Sequence, residues 1–378
     1  MKKLLSLLLA VLMVVSLSAC GKKEETPTDT PDAAPTTDVY EVAVVTDVGQ
    51  LNDGGFNQYT FEGAKLFAEA NGYNYNYYAP ANGTDATDND RIDAMRLAIE
   101  NGAKVIVTPG FMQATALQTV AAESPDVKFV FVDGWALGLP NVTAISYKEQ
   151  EAGYFAGYAA AKDGYTKLAG TFGGAGTNAA CNRYAYGYVQ GIEAAAAELG
   201  TTCDVTISFL YGAAFSASTE LQTQVSGWYN NGTEVVFSCG GSMLQSVKAA
   251  AAETQNGKII GVDVDQASES DRVITSACKG LSASVQLVLT EWNNGEWDAK
   301  LADQCSVLGA AENSTEIPTA SGSWRFNTFT VDEYKALFDK VVAGEVTPLD
   351  NVSDNMSTQA SWDALTADFS HVNLTVEE

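Results

Sequence analysis

Histidine is almost absent: His371, near the C-terminus, is the single one in 378 residues. A single histidine, so placed, nearly excludes a His-based triad and a His-rich zinc site. Basic side chains are also scarce, 21 Lys and Arg against 47 Asp and Glu, for a formal net charge of −26. A chain this acidic repels phosphate backbones and anionic surfaces, so nucleic acid is not expected as a partner. No GxSxG elbow, HExxH pair or GxxxxGK[ST] phosphate loop occurs. The six cysteines (Cys20, Cys181, Cys203, Cys239, Cys278 and Cys305) are too dispersed for a CxxC metal site or a dense disulfide framework. No metal, cofactor or catalytic residue is therefore expected. Apolar residues, at 46%, suffice for a sizeable core, and the length suits two α/β domains.

The N-terminus reads as an address. Lys2 and Lys3 precede an apolar run over 4–17 that is too short to span a membrane. The run ends in Leu17-Ser18-Ala19-Cys20, which resembles the lipobox of bacterial lipoproteins. The alternative is an ordinary secretory signal with a chance cysteine. Residues 1–19 are thus expected to be a signal peptide and Cys20 a lipidation site. Residues 20–38, rich in Pro, Thr and acids with no large apolar side chain, read as a flexible tether. The expected location is the outer face of a cell membrane, held by the lipid.

The body alternates short apolar runs (42–45, 105–107, 129–132, 168–172, 235–237 and 259–262) with amphipathic stretches of helical length. That is the signature of βαβ units, with strands buried on both faces of a parallel sheet. The alternation restarts near Asn141, which predicts a lobe boundary near Ser146. The expected fold class is α/β, with two doubly wound parallel-sheet lobes. Lobe 1 is expected over 39–146 with a return segment at about 275–305. Lobe 2 is expected over 147–274, with 306–378 contributing across the hinge.

In open α/β sheets, ligands sit in the crevice beyond the carboxyl ends of the strands. Three acids fall at such tips: Asp47, Asp133 and Asp263. Aromatic plates are available at Phe56, at the start of the first helix, and at Phe237. Asn57 and Gly241 complete the candidate ligand-binding set. Carboxylates accept hydrogen bonds from hydroxyls, and aromatic faces stack on flat rings. Blander roles exist for each. Asn52 and Asp53 suit turn-making and capping, Phe56 could staple its own helix, and Phe237 could be strand core. Asp133 and Asp263 could simply end strands, and Cys239 could be an inert core filler.

At these residues the chain resembles a known family. TDVGQLNDGGFNQ (46–58), with FVFVDG (129–134), Ser146–Gly153, CNRYAYGYVQG (181–191), Cys239–Ser242, IIGVDVDQ (259–266) and ITSACK (274–279), is similar to the basic membrane lipoprotein family. Its members are nucleoside-binding components of ATP-binding-cassette importers. The resemblance implies a type I periplasmic-binding-protein fold that closes on a purine nucleoside such as inosine, guanosine or adenosine. It implies that Phe56 and Phe237 sandwich the base, that Asp133 bonds the base edge, and that Asp47, Asp263 and Lys279 hold the ribose. A membrane permease would be the partner, and the receptor a monomer. Val48, Gly55 and Met243 depart from the family pattern, and Met243 would place a side chain where glycine lets backbone approach the ligand. From Leu301 onward the pattern is lost. A free sugar or other small polar metabolite in the same fold, a sensor or adhesin, and a secreted nucleoside hydrolase remain as alternative readings.

Overall fold

The structure, a computed structural model, describes residues 39–48 and 51–378. The expected signal peptide, Cys20 and the tether lie outside the described residues. Among the described residues thirteen strands are formed: β1 (Val42–Val45), β2 (Tyr75–Tyr78), β3 (Val105–Pro109), β4 (Lys128–Val132), β5 (Val142–Tyr147), β6 (Lys167–Phe172), β7 (Cys203–Ser208), β8 (Val235–Cys239), β9 (Lys258–Asp263), β10 (Val273–Lys279), β11 (Cys305–Leu308), β12 (Thr315–Glu316) and β13 (Val372–Glu377). The helices are α1 (Phe56–Asn71), α2 (Asp88–Glu100), α3 (Ala114–Glu123), α4 (Glu149–Lys162), α5 (Ala179–Leu199), α6 (Thr219–Asn230), α7 (Met243–Ala252), α8 (Leu281–Asn293), α9 (Val331–Val342) and α10 (Gln359–Asp363).

The strands build two sheets. The first is wholly parallel, in the order β11-β5-β4-β3-β1-β2. The second runs β12-β10-β9-β8-β6-β7-β13, parallel except where β12 meets β10 at the edge. Each sheet is covered by apolar clusters on both faces, which explains why β1, β3 and β8 are buried at every residue. Within each lobe the first five strands take the spatial order 2-1-3-4-5. Connections diverge between the first and third strands, and that divergence opens a crevice at their carboxyl ends.

The crossovers fall a few residues from where the sequence reading put them. Strand β10 is buried throughout and pairs with β9, so the return to the first lobe begins at α8 rather than near 275. Strand β11 pairs with β5, which extends the first lobe past 306. The remaining chain joins the second lobe. Asp163 fastens it there by accepting the backbone N–H groups of Asn327, Thr328 and Phe329 at 2.6–3.1 Å.

Helices α4 and α5 touch backbone to backbone. A Cβ on Gly157 would stand 2.1 Å from the Tyr188 carbonyl oxygen, and one on Gly191 2.1 Å from that of Tyr154. Gly157→Ala is therefore expected to cost about 1–3 kcal/mol by overpacking. A urea melt reads this as a lower midpoint; an unshifted midpoint would mean the helices part freely.

Candidate functional site

One cavity of about 600 Å³ opens between the two lobes, at the carboxyl ends of β1, β3, β4, β8 and β9. Asp47, Phe56, Asn57, Asp133, Gly241, Asp263 and Lys279 all line it. Phe237 does not.

The first loop is built around two aspartates. Asp53 accepts backbone N–H groups from Gly55 (2.8 Å), Asn57 (2.9 Å) and Gln58 (3.2 Å), satisfying donors that the first turn of α1 would otherwise leave bare. This is the capping role open to it in sequence. Burial raises its carboxyl above the ordinary value, against those backbone bonds. Asp47 accepts the Val48 N–H at 2.6 Å and the Asn57 side-chain amide at 3.4 Å. Gly110, at φ +98°, makes room for it: a Cβ there would meet the Asp47 carboxylate at 2.0 Å. Asn57 is 3% exposed, and its Oδ1 has no hydrogen-bond partner.

Asp133 and Asp263 occupy matching places, just past the fourth strand of the first lobe and at the last residue of the fourth strand of the second. Both are left-handed, at φ +56° and +67°, a conformation aspartate tolerates better than most residues. Their side chains converge on Lys279, at the end of β10. The Lys279 Nζ lies 2.6 Å from Asp133 Oδ2, 3.4 Å from Asp263 Oδ1 and 3.9 Å from Glu149 Oε1. It also sits over the rings of Phe56, Tyr147 and Tyr184, at 4.8, 5.3 and 5.7 Å from their centroids. Burial alone would lower the Lys279 pKa, but Asp133, Asp263 and Glu149 outweigh it and hold the ammonium well above its ordinary value. Burial pushes the Asp263 carboxyl up to about 6, with Lys279 pulling the other way. Lys279 thus bridges the lobes, as does Gln266, whose Nε2 donates to the Gly54 carbonyl at 3.3 Å.

The second aromatic plate is corrected. Phe237 is fully buried and packs on Phe172, Tyr184 and Tyr188, with centroids 5.3, 6.0 and 5.3 Å away. It points from the central strand β8 into the α5 side of the core, two residues before the strand ends. Two aromatic residues line the cavity from the second lobe: Tyr184 of α5, itself buried, and Phe215, in the loop after β7, which is the more open of the two. Three glycines seat it. A Cβ on Gly173 would strike the Phe215 ring at 2.3 Å, one on Gly240 would meet that ring at 3.2 Å, and one on Gly241 would meet its carbonyl oxygen at 2.7 Å. Phe215 has φ +54°, a strained value for an aromatic residue, fixed by bonds to Gly212 and Ser242. Its ring meets Phe111, from the first lobe, edge-on at 6.4 Å. The sequence signal for Phe215 is an aromatic in a small-residue loop, but β7 reads CDVTIS, with polar residues interrupting it, and forms no apolar run that would mark a strand end before that loop.

Met243 is also corrected. Its side chain is fully buried among Leu221, Val225 and Val247, with its sulfur packed behind Gly240, and is not among the cavity-lining residues. The five described cysteines are free thiols, with Cys181 and Cys239 at the cavity wall. Burial raises the Cys239 thiol well above its ordinary value, which fits an inert residue.

Residues 40–305 match the family model Bmp, described as ABC transporter substrate-binding protein PnrA-like. A nucleoside-binding protein of an ABC transporter from Lactococcus lactis is 27% identical, over 68% of this chain and 76% of its own. A CD4+ T-cell-stimulating antigen of Listeria innocua is also 27% identical, over 90% of this chain and 96% of its own. Among solved structures, an ABC transporter solute-binding protein of Aeropyrum pernix superposes with a TM-score of 0.69 at 19% identity, over 87% of this chain and 97% of that one. That likeness speaks to the two-lobed type I fold. The match over 40–305 places the chain in the Bmp family of PnrA-like ABC transporter substrate-binding proteins, a binding rather than a catalytic family.

Proposed function

We propose that the protein captures a purine nucleoside between its lobes and passes it to the permease of an ABC importer, from the outer membrane face to which a lipid on Cys20 holds it. One observation carries this reading. Two aromatic residues from opposite lobes, Phe56 and Phe215, line the same cavity as Asn57 and Asp133, each of which carries a buried acceptor atom, Oδ1, without a partner. In this reading the rings flank the base, Asp133 accepts from its edge, and Asp47, Asn57 and Asp263 take the ribose hydroxyls. The lining holds four aspartates and a single lysine among the described residues, so a ligand phosphate would be repelled. The name of the Lactococcus lactis relative agrees with a nucleoside.

The energetics suffice. Stacking contributes about 1–3 kcal/mol per base contact, and each charge-assisted hydrogen bond roughly 1.5–3. Micromolar to nanomolar affinity needs about 8–12 kcal/mol. Calorimetric titration of the purified protein with inosine, guanosine, adenosine and free ribose tests the reading. Saturable heat with a nucleoside and none with ribose is expected. Heat with ribose alone would replace the nucleoside by a free sugar, and free base appearing in the cell would indicate hydrolysis.

A further inference from the structure

We infer that Glu149 is a positioning residue that takes over the Lys279 ammonium when the ligand claims Asp133 and Asp263. The inference rests on the reading of those two aspartates as ligand partners. Both now hold Lys279, at 2.6 and 3.4 Å. A nucleoside that donates hydrogen bonds to them competes with the ammonium for the same carboxylates. Lys279 is 3% exposed in its side chain, so water cannot replace what it loses.

Glu149 is the one carboxylate near Lys279 for which the ligand does not compete. It begins α4, is fully buried, and is not part of the cavity lining. Its Oε2 is held by the Arg183 Nε at 2.7 Å. Its Oε1 has no hydrogen-bond partner and stands 3.9 Å from the Lys279 Nζ, within ion-pair range but short of a bond. A buried, aimed and unsatisfied acceptor is costly to keep unless another state of the protein uses it. A small swing of the flexible lysine stem brings Nζ onto Oε1. The ammonium stays paired while Asp133 turns to the base edge. Because Asp133 belongs to the first lobe, and Lys279 and Glu149 to the second, the exchange trades a protein–protein tie across the cleft for one made through the ligand.

The test compares wild type with Glu149→Gln by calorimetry, using inosine and purine riboside, which lacks the N–H that inosine offers at its base edge. If Glu149 frees Asp133, the variant binds inosine about tenfold more weakly and purine riboside as wild type does. Equal losses on both ligands, or no loss on either, overturn the inference. Wild type that binds neither ligand removes the nucleoside reading itself and this inference with it. Should Glu149→Gln not fold, a structure of the wild type with inosine decides. A Lys279–Glu149 hydrogen bond supports the exchange, and an unchanged 3.9 Å gap with Asp133 still on Lys279 overturns it.

Discussion

Phe215→Ala is expected to weaken inosine binding about 10- to 100-fold, while Phe237→Ala leaves the affinity in place and instead costs about 3–5 kcal/mol of stability. The two rings stand on neighbouring elements of the same lobe but do opposite work. Phe215 is partly exposed to the cavity on a floor of glycines, and its backbone is held at a positive φ. Truncating it removes a stacking face and little core. Phe237 has no access to the cavity and contacts three aromatic rings of the core, so truncating it leaves a void the size of a benzene ring that those rings cannot all fill. Phe56→Ala should match Phe215→Ala in affinity, since the base needs both plates. Calorimetry against inosine and urea melts of the same preparations separate these outcomes. Affinity lost in Phe237→Ala at unchanged stability, with Phe215→Ala binding normally, would restore the pairing read from sequence.

The contrast also shows what a sequence of this kind discloses. Central strands were legible because parallel strands buried on both faces must be apolar almost without interruption, as in Val42–Val45 and Val235–Cys239. Edge strands were not. β2 reads YNYY, and β13 reads VNLTVE; each is largely half-buried or exposed and is interrupted by polar residues, so neither forms an apolar run. The strand-tip aspartates were legible for a topological reason: once strands are parallel, their carboxyl ends share one edge, and Asp47, Asp133 and Asp263 must lie along it. Ring direction was not legible. A residue two before a strand end can point into the helices on either face, and only packing against Tyr184 and Tyr188 decides that Phe237 faces inward. The charge cluster was beyond reach for a related reason. Glu149, Arg183 and Lys279 belong to three elements 34 to 130 positions apart, and nothing local ties them.

That cluster sets an expected effect on stability as large as that of Phe237→Ala, and one that depends on pH. Lys279→Met removes the ammonium from among Asp133, Asp263 and Glu149 and is expected to cost about 3–5 kcal/mol near neutral pH, the usual result of stranding a buried charge. The loss should depend steeply on pH. Asp263 in the folded protein has its carboxyl raised by burial to about 6 even with Lys279 beside it, against an ordinary 3.8. A carboxyl raised on folding binds its proton more tightly in the folded state. It therefore favours folding below its unfolded pKa, and that contribution is lost as pH rises through about 6. Without Lys279 the carboxyl rises further, because the one partner lowering it is gone, and burial likewise raises Glu149. The melting temperatures of wild type and Lys279→Met should thus lie far apart at pH 7.5 and converge toward pH 4.5. A gap of constant size across that range would mean the cluster does not carry the charge assigned to it. Ligand affinity should move in the opposite sense. Acid that relieves the empty site also protonates Asp263 and removes a charged acceptor for the ribose, so inosine should bind the wild type progressively more weakly below about pH 6. A cavity that is easier to fold empty in acid and better at holding its ligand near neutrality is what a floor of buried carboxylates around one lysine entails.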